Sequence, residues 1–209
     1  MSSFRVLVPV KSSGVKSRLS PLLSKAERER LGRLLLSGVL KQLGTAGLLG
    51  STRVVSSDPQ VLEFAAKSGA RTVREARDEG VNSAVEKGMH TGGSPARVLV
   101  LPADLALFRA SEVKHVVSLG DVMEVVIAPS VSFNGTNALL FPPSAGLTLS
   151  YDDDSFWNHI RAAARKGLSV GVTSEPGLMF DLDTPDDLRS LARSRSKNPV
   201  AEFARRVTR

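Results

Sequence analysis

The chain has 209 residues, 42% of them hydrophobic and 23% charged, enough apolar material for one sizeable core and little more than one domain. It contains no cysteine, which excludes disulfides, thiolate metal sites and a cysteine nucleophile and fits a reducing compartment. The formal charge is +7, and no stretch approaches the ~18 consecutive apolar residues of a membrane span.

The first predicted strand is "FRVLVPV", residues 4–10. The start "MSSFRVLVPVK" has too short an apolar run for a signal peptide and no cleavage-like site, so a cytoplasmic protein is expected. The strand runs into "VPVKSSGVKSRLS", which sets Lys11, Lys16 and Arg18 among small residues. With a single glycine, Gly14, and no "GK[ST]", this is not the P-loop pattern. By pattern alone it reads equally as a solvated basic turn or a phosphate site. A long helix is predicted over "SKAERERLGRLLLSGVLKQLG", with Ser24 and Glu27 forming a capping box and Gly44 ending it. Further strands are predicted at 52–57, 70–75, 97–102, 122–129, 137–142 and 168–174. Shorter helices fit "PQVLEFAAKSG", "NSAVEKGMH", "ASEVKHVVSLG", "DDSFWNHIRAAARKG" and "TPDDLRSLARS". Alternation of strand and helix predicts an α/β domain with a mainly parallel sheet and helices on both faces. "VIAPSVSFNGTNALLF" joins two strand-like runs through a short loop, which brings in an antiparallel strand.

The excess charge lies at the end of the chain. Residues 189–209 carry seven basic side chains and one acidic one, against 21 basic and 20 acidic in the first 188. The nearly neutral body argues against a nucleic-acid surface. One domain is expected over 1–193, followed by a basic tail, 194–209. The tail reads as a solvated, frayed end or as an arm for RNA, an acidic partner or a second subunit.

In an open α/β sheet ligands bind beyond the carboxyl ends of the strands. The residues gathered there are Lys11, Lys16 and Arg18 after the first strand, and Ser56, Ser57 and Asp58 after the second. Asp104 of "PAD" follows the fourth, Thr136 of "GTN" precedes the sixth, and Asp181 and Asp183 of "DLD" follow "GLMF". Cations at one point and carboxylates at others suit nucleotidyl transfer, where magnesium held by carboxylates and substrate phosphates neutralises a triphosphate. Asp181 and Asp183 would point the same way if extended and could share metal with Asp104. The competing reading is structural: Thr184 or Asp183 caps a helix starting near Pro185, with Asp186 and Asp187 as first-turn acids.

Eight segments in order, "VPVKSSGVKSRLSP", "SKAERERL", "SSDPQVL", "GVNSAVEKG", "VLVLPADLALF", "APSVSFNGTNALLF", "YDDDSFWNH" and "GLMFDLDTPDDL", resemble the guanylyltransferases of deazaflavin coenzyme F(420) biosynthesis. These are the 2-phospho-L-lactate guanylyltransferases of archaea and the related phosphoenolpyruvate guanylyltransferases of actinobacteria. The resemblance covers residues 4 to about 193. It implies a single three-layer nucleotidyltransferase domain of the glycosyltransferase-A, nucleotide-diphospho-sugar transferase type, with a mixed, mainly parallel sheet. The implied reaction joins GTP to a three-carbon phosphorylated acid and releases pyrophosphate, with Mg2+ as cofactor, and a homodimer is compatible with it. By the same carry-over, Asp104, Asp181 and Asp183 are implied as catalytic magnesium ligands. Lys11, Lys16, Arg18, Ser57, Asn82 and Pro102 are implied at the nucleotide, and Thr136, Asn137, Ser155 and His159 at the acceptor. One departure stands out: Asp152 in "YDDDSF" replaces a common glycine, and an acid beside an anionic acceptor is repulsive unless it turns away or meets a cation.

The acceptor's own phosphate oxygen would be the nucleophile, so no general base is needed. His90 and His115 accordingly read as helix-surface or packing residues. His159, four residues after Ser155, shares its helix face. Phe156 and Trp157 are expected to pack their helix on the sheet. Two alternatives stay in view: a transferase of the same fold acting on another acceptor, usually opened by a glycine-rich "LAGG..RMG" loop missing here, and an RNA-binding protein using the basic tail.

Overall fold

A computed structural model describes residues 4–11 and 16–208. Gly14 lies outside them. Seven strands form one sheet in the order β3-β2-β1-β4-β6-β5-β7: β1 (Phe4–Pro9), β2 (Thr52–Ser56), β3 (Arg71–Arg74), β4 (Arg97–Val100), β5 (Val125–Pro129), β6 (Thr136–Phe141) and β7 (Val170–Val172). The pairs β1–β2, β2–β3, β1–β4 and β5–β7 are parallel, while β6 runs antiparallel to β4 and β5. The strand predicted to reverse is therefore β6, and the mixed, mainly parallel sheet is as expected.

The strands read as continuous apolar runs because both faces are covered. Val6, Val8, Leu99, Leu101, Val126 and Leu140 pack under α1 (Lys25–Thr45), α2 (Pro59–Lys67) and α4 (Ala110–Leu119). Their neighbours Leu7, Val98, Val100, Ile127, Leu139 and Phe141 face α3 (Val81–His90) and α5 (Ser155–Arg165). This one-residue alternation is the pleat expressed as three layers. Helix α1 begins with the expected capping box, Ser24 N–H donating to Glu27 Oε2 at 2.9 Å and Glu27 N–H to Ser24 Oγ at 3.3 Å. It buries Leu31, Leu35, Leu36, Val39, Leu40 and Leu43 along one stripe. Phe156 is buried as expected, but Trp157 is half-exposed: one position further along α5 turns its ring away from the sheet.

Two helices were not anticipated, α6 (Pro176–Met179) and α8 (Pro199–Val207), which flank α7 (Pro185–Arg193). Helix α8 corrects the expectation of a frayed tail. Asn198 caps it through Ala201 N–H at 2.8 Å and donates to Ala106 O at 2.7 Å. Val200, Phe203 and Ala204 are buried with Leu31 and Leu35 of α1 and Leu188 and Leu191 of α7. Arg206 lies 5.5 Å from the Phe203 ring centre. The i, i+3, i+4 apolar spacing at 200, 203 and 204 was present in the sequence but overshadowed by the surrounding cations. No helix of the described residues is long and apolar enough to cross a membrane.

Strand β1 has β2 on one side and β4 on the other, so successive crossovers leave it in opposite directions. That is where such sheets open a crevice at their carboxyl edge. Because β6 runs against β4, its first residues, Thr136 and Asn137, reach that same edge.

Candidate active site

An open cleft of about 1090 Å3 lies on this edge. Lys11 follows β1, Pro102 and Asp104 follow β4, Thr136 and Asn137 open β6, and Ser155 is the first residue of α5; all line the cleft, with Lys16, Arg18 and Asp183. Lys16 is the link between distant segments. Its Nζ donates to Asp104 Oδ2 at 3.0 Å and to Asp183 Oδ1 at 2.6 Å, and its side chain is 11% exposed. The backbone at Lys16 is left-handed, φ 51°, a conformation that costs a non-glycine residue about 1 kcal/mol or more and tends to persist at functional sites. Arg18 is 3.8 Å from Asp183 and largely exposed.

These contacts set the charge states. Burial would raise the Asp183 carboxyl, but Lys16, then Arg18 and Lys11, outweigh it and hold it below the usual carboxylate range. Burial likewise opposes the Lys16 ammonium, and Asp104 and Asp183 outweigh that, leaving it above the ordinary lysine value. Asp181 moves the other way: burial first, then the Asp104 and Asp183 charges, push it up against a hydrogen bond from Asn137. That bond, Asn137 Nδ2 to Asp181 Oδ1, is 3.1 Å long, and the same amide donates to Met179 O at 3.0 Å. Leu182, between the two acids, is fully buried, and its N–H donates to Asp104 O at 3.1 Å. One backbone bond thus ties the two carboxylate segments together.

Of the three acids expected to share one metal position, Asp104 and Asp183 meet Lys16 and Asp181 meets Asn137. Among the described residues no three acidic or imidazole groups form a ready cage, because Lys16 fills the gap between Asp104 and Asp183 and Asp181 faces Asn137. Asp104 Oδ1 nevertheless is buried without a hydrogen-bond partner. A buried, unsatisfied hard oxygen beside two more carboxylates is a donor set that suits a magnesium ion.

Three expected contacts, His159, Asn82 and Ser57, are not among the residues that line the cleft. His159 is fully buried rather than facing an acceptor. It sits under the wall, its Nδ1 3.0 Å from Thr136 Oγ1. Asn82 accepts from Tyr151 N–H at 2.9 Å and donates to Asp152 Oδ2 at 3.4 Å, which fastens α3 to the 150–153 loop. The Asp152 carboxylate is thereby turned to an amide rather than a cation. Ser57 follows β2, next to Asp58, which lines the cleft. Lys25, Arg28 and Arg33 of α1 line the cleft too. Their spacing on one helix face was readable in the sequence and was passed over.

The "DLD" segment is aimed by α6, and α6 is held by a buried carboxylate. Glu112 accepts from Arg109 N–H at 2.9 Å and from Gly177 N–H at 2.8 Å, capping two helices at once. A Cβ on Gly177 would fall 2.3 Å from Glu112 Oε2 and 2.5 Å from Leu107 O. Gly177→Ala is therefore expected to cost about 2–3 kcal/mol in urea unfolding through overpacking, and to weaken turnover by displacing Asp181. An unchanged unfolding midpoint would show that α6 shifts freely.

An open mixed α/β sheet whose carboxyl-edge cleft opposes cations to carboxylates suits nucleotidyl transfer. The same fold occurs in a cytidylyltransferase from Leptospira borgpetersenii, at a TM-score of 0.61 and 12% identity over 100% of this chain and 94% of that one. Residues 4–208 match the family described as guanylyl transferase CofC like, and the chain belongs to that family. It is 41% identical over 199 residues to a phosphoenolpyruvate guanylyltransferase of Rubrobacter xylanophilus, covering 93% of this chain and 95% of that protein. It is 33% identical over 203 residues to a 2-phospho-L-lactate guanylyltransferase of Methanothermobacter thermautotrophicus, covering 96% and 89%. A 3-phospho-D-glycerate guanylyltransferase of Phenylobacterium zucineum is 32% identical over 195 residues, covering 90% and 89%.

Proposed function

We propose that the protein transfers GMP from GTP to the phosphate of a three-carbon phosphorylated acid, phosphoenolpyruvate or 2-phospho-L-lactate, in deazaflavin coenzyme biosynthesis. The observation that carries this reading is Lys16 bridging Asp104 and Asp183 at the mouth of a cationic cleft. A phosphate oxygen of the acceptor attacks the α-phosphorus of GTP, a new P–O bond forms, the α–β bridge breaks, and pyrophosphate leaves with the electron pair. The acceptor oxygen is already ionised at neutral pH, so catalysis rests on positioning and charge neutralisation. Lys11, Lys16 and Arg18, with the α1 cations behind them, hold the triphosphate, and Pro102 borders the nucleotide. Asn82 and Ser57 flank that wall, next in sequence to Val81 and Asp58 of the cleft lining. Thr136 and Ser155 take the acceptor's anionic groups at the start of α5, where backbone N–H groups favour negative charge, while Asn137, its amide committed to Met179 O and Asp181, orients the acid beside them. Asp104, Asp181 and Asp183 would hold Mg2+, which when bound neutralises charge on the phosphates and the departing pyrophosphate. The reading includes a cytoplasmic enzyme working as a homodimer.

The test is pyrophosphate release by the purified chain with magnesium, GTP, ATP or CTP, and phosphoenolpyruvate, 2-phospho-L-lactate, 3-phosphoglycerate or no acceptor. Release with GTP and one of the first two acids is expected. Release with 3-phosphoglycerate alone would favour the second reading, which the Phenylobacterium relative motivates. No release with any pair would remove the assignment.

A further inference from the structure

Thr136 is 7% exposed, at the edge of the cleft, and its hydroxyl meets the fully buried imidazole of His159. The other ring nitrogen, Nε2, lies 3.1 Å from the backbone N–H of Ser150. An amide N–H only donates, so Nε2 must offer a lone pair. A neutral imidazole then carries its single proton on Nδ1. Nδ1–H donates to Thr136 Oγ1, and a hydroxyl whose oxygen is occupied in this way keeps its own proton for something else. Among the described residues His159 is the only side-chain partner of that hydroxyl. The imidazole is sealed from solvent, with the Tyr151 ring edge-on at 4.8 Å. Burial pushes its protonation down to about 4, so it stays neutral at working pH.

We propose that His159 is a positioning residue that never touches substrate and that fixes the polarity of Thr136, so that its hydroxyl presents a proton to the acceptor. The wall at Thr136 then offers its proton to an oxygen that brings none, a phosphate or carboxylate oxyanion, and suits less well an amine that must donate there, for which only the second Oγ1 lone pair remains. This specificity lies in a buried tautomer rather than in a charge. It rests on the reading that the acceptor lies against Thr136, and the experiments separate the two claims.

The first experiment needs no substrate. A long-range 1H–15N correlation on the histidine-labelled full chain is expected to show His159 as the Nδ1–H tautomer; an Nε2–H tautomer overturns the proposal. The second is kinetic. Thr136→Val is expected to raise the acceptor KM about tenfold or more, the worth of a hydrogen bond to a charged group, and to leave the GTP KM unchanged. His159→Gln, which keeps an acceptor near Ser150 but loses the Nδ1 donor, is expected to give the same selective rise, and no further rise when combined with Thr136→Val. Equal effects of His159→Gln on both KM values, in both backgrounds, would make His159 a packing residue and overturn the proposal. Should Thr136→Val change neither KM while the Nδ1–H tautomer is seen, the acceptor placement fails and the proposal falls with it.

Discussion

Asp104→Asn is expected to lower turnover by at least about 10³-fold while leaving the fold intact. The carboxylate is dispensable to the fold for a visible reason. One of its oxygens is buried and unpartnered, and its charge helps to push Asp181 up, so its removal relieves repulsion as well as breaking a contact. Lys16 keeps Asp183 as a counter-ion at 2.6 Å. The melting temperature should therefore move by only a few degrees. Activity has no such substitute, because an amide cannot supply an anionic hard oxygen, and losing several kcal/mol of charge stabilisation corresponds to three decades or more of rate. Pyrophosphate release and thermal melting by circular dichroism on one preparation read both quantities. Full activity with a large loss of stability would reverse the assignment and make Asp104 a structural acid.

The sheet was legible because β1, β4, β5 and β6 are apolar on both faces, and the reversal of β6 because the six residues between β5 and β6 cannot carry a crossover between parallel strands. The acids after β4 and before α7 could be picked out for the same reason: strand ends in an open sheet are where ligands go. Their convergence could not. Lys16 is 88 residues from Asp104 and 167 from Asp183, and no periodicity reports a contact at such a distance. Nor did "DLD" reveal that its two acids would take different partners, since that depends on Asn137 arriving from β6. The tail misled for an opposite reason. Counting cations along 194–209 hid the apolar stripe at Val200, Phe203 and Ala204, and composition outweighed pattern where pattern was the better guide. Glu112 and Gly177, which position α6 ahead of the Asp181–Asp183 segment, gave no signal: a buried glutamate capping two helices looks in sequence like any surface acid.

Lys16→Met is expected to lower stability at neutral pH by about 1–3 kcal/mol and the kcat/KM for GTP by about 10²-fold or more. Methionine keeps the length of the side chain and suffers the same left-handed backbone, so strain cancels and the comparison isolates the ammonium. Without it Asp104 and Asp183 face each other partly buried. Arg18, 76% exposed and 3.8 Å away, is too solvated to take over. A fully buried pair would cost more to break, but Asp183 is 38% exposed and water screens part of the loss. The pH dependence follows from the direction of each shift. Asp183 is held below the usual carboxylate range, so its share of the gap between wild type and variant is present at neutrality and lost as pH falls through its lowered value. Lys16 is held above 10.5, so its share is present below that value and lost as pH rises through the raised one. Urea unfolding of both proteins across pH should therefore give a difference that is widest in between and narrows at each extreme. A difference that is flat with pH, with GTP still used normally, would mean that the lysine is a solvated neighbour of the carboxylates, and the bridge would have no part in holding the site together.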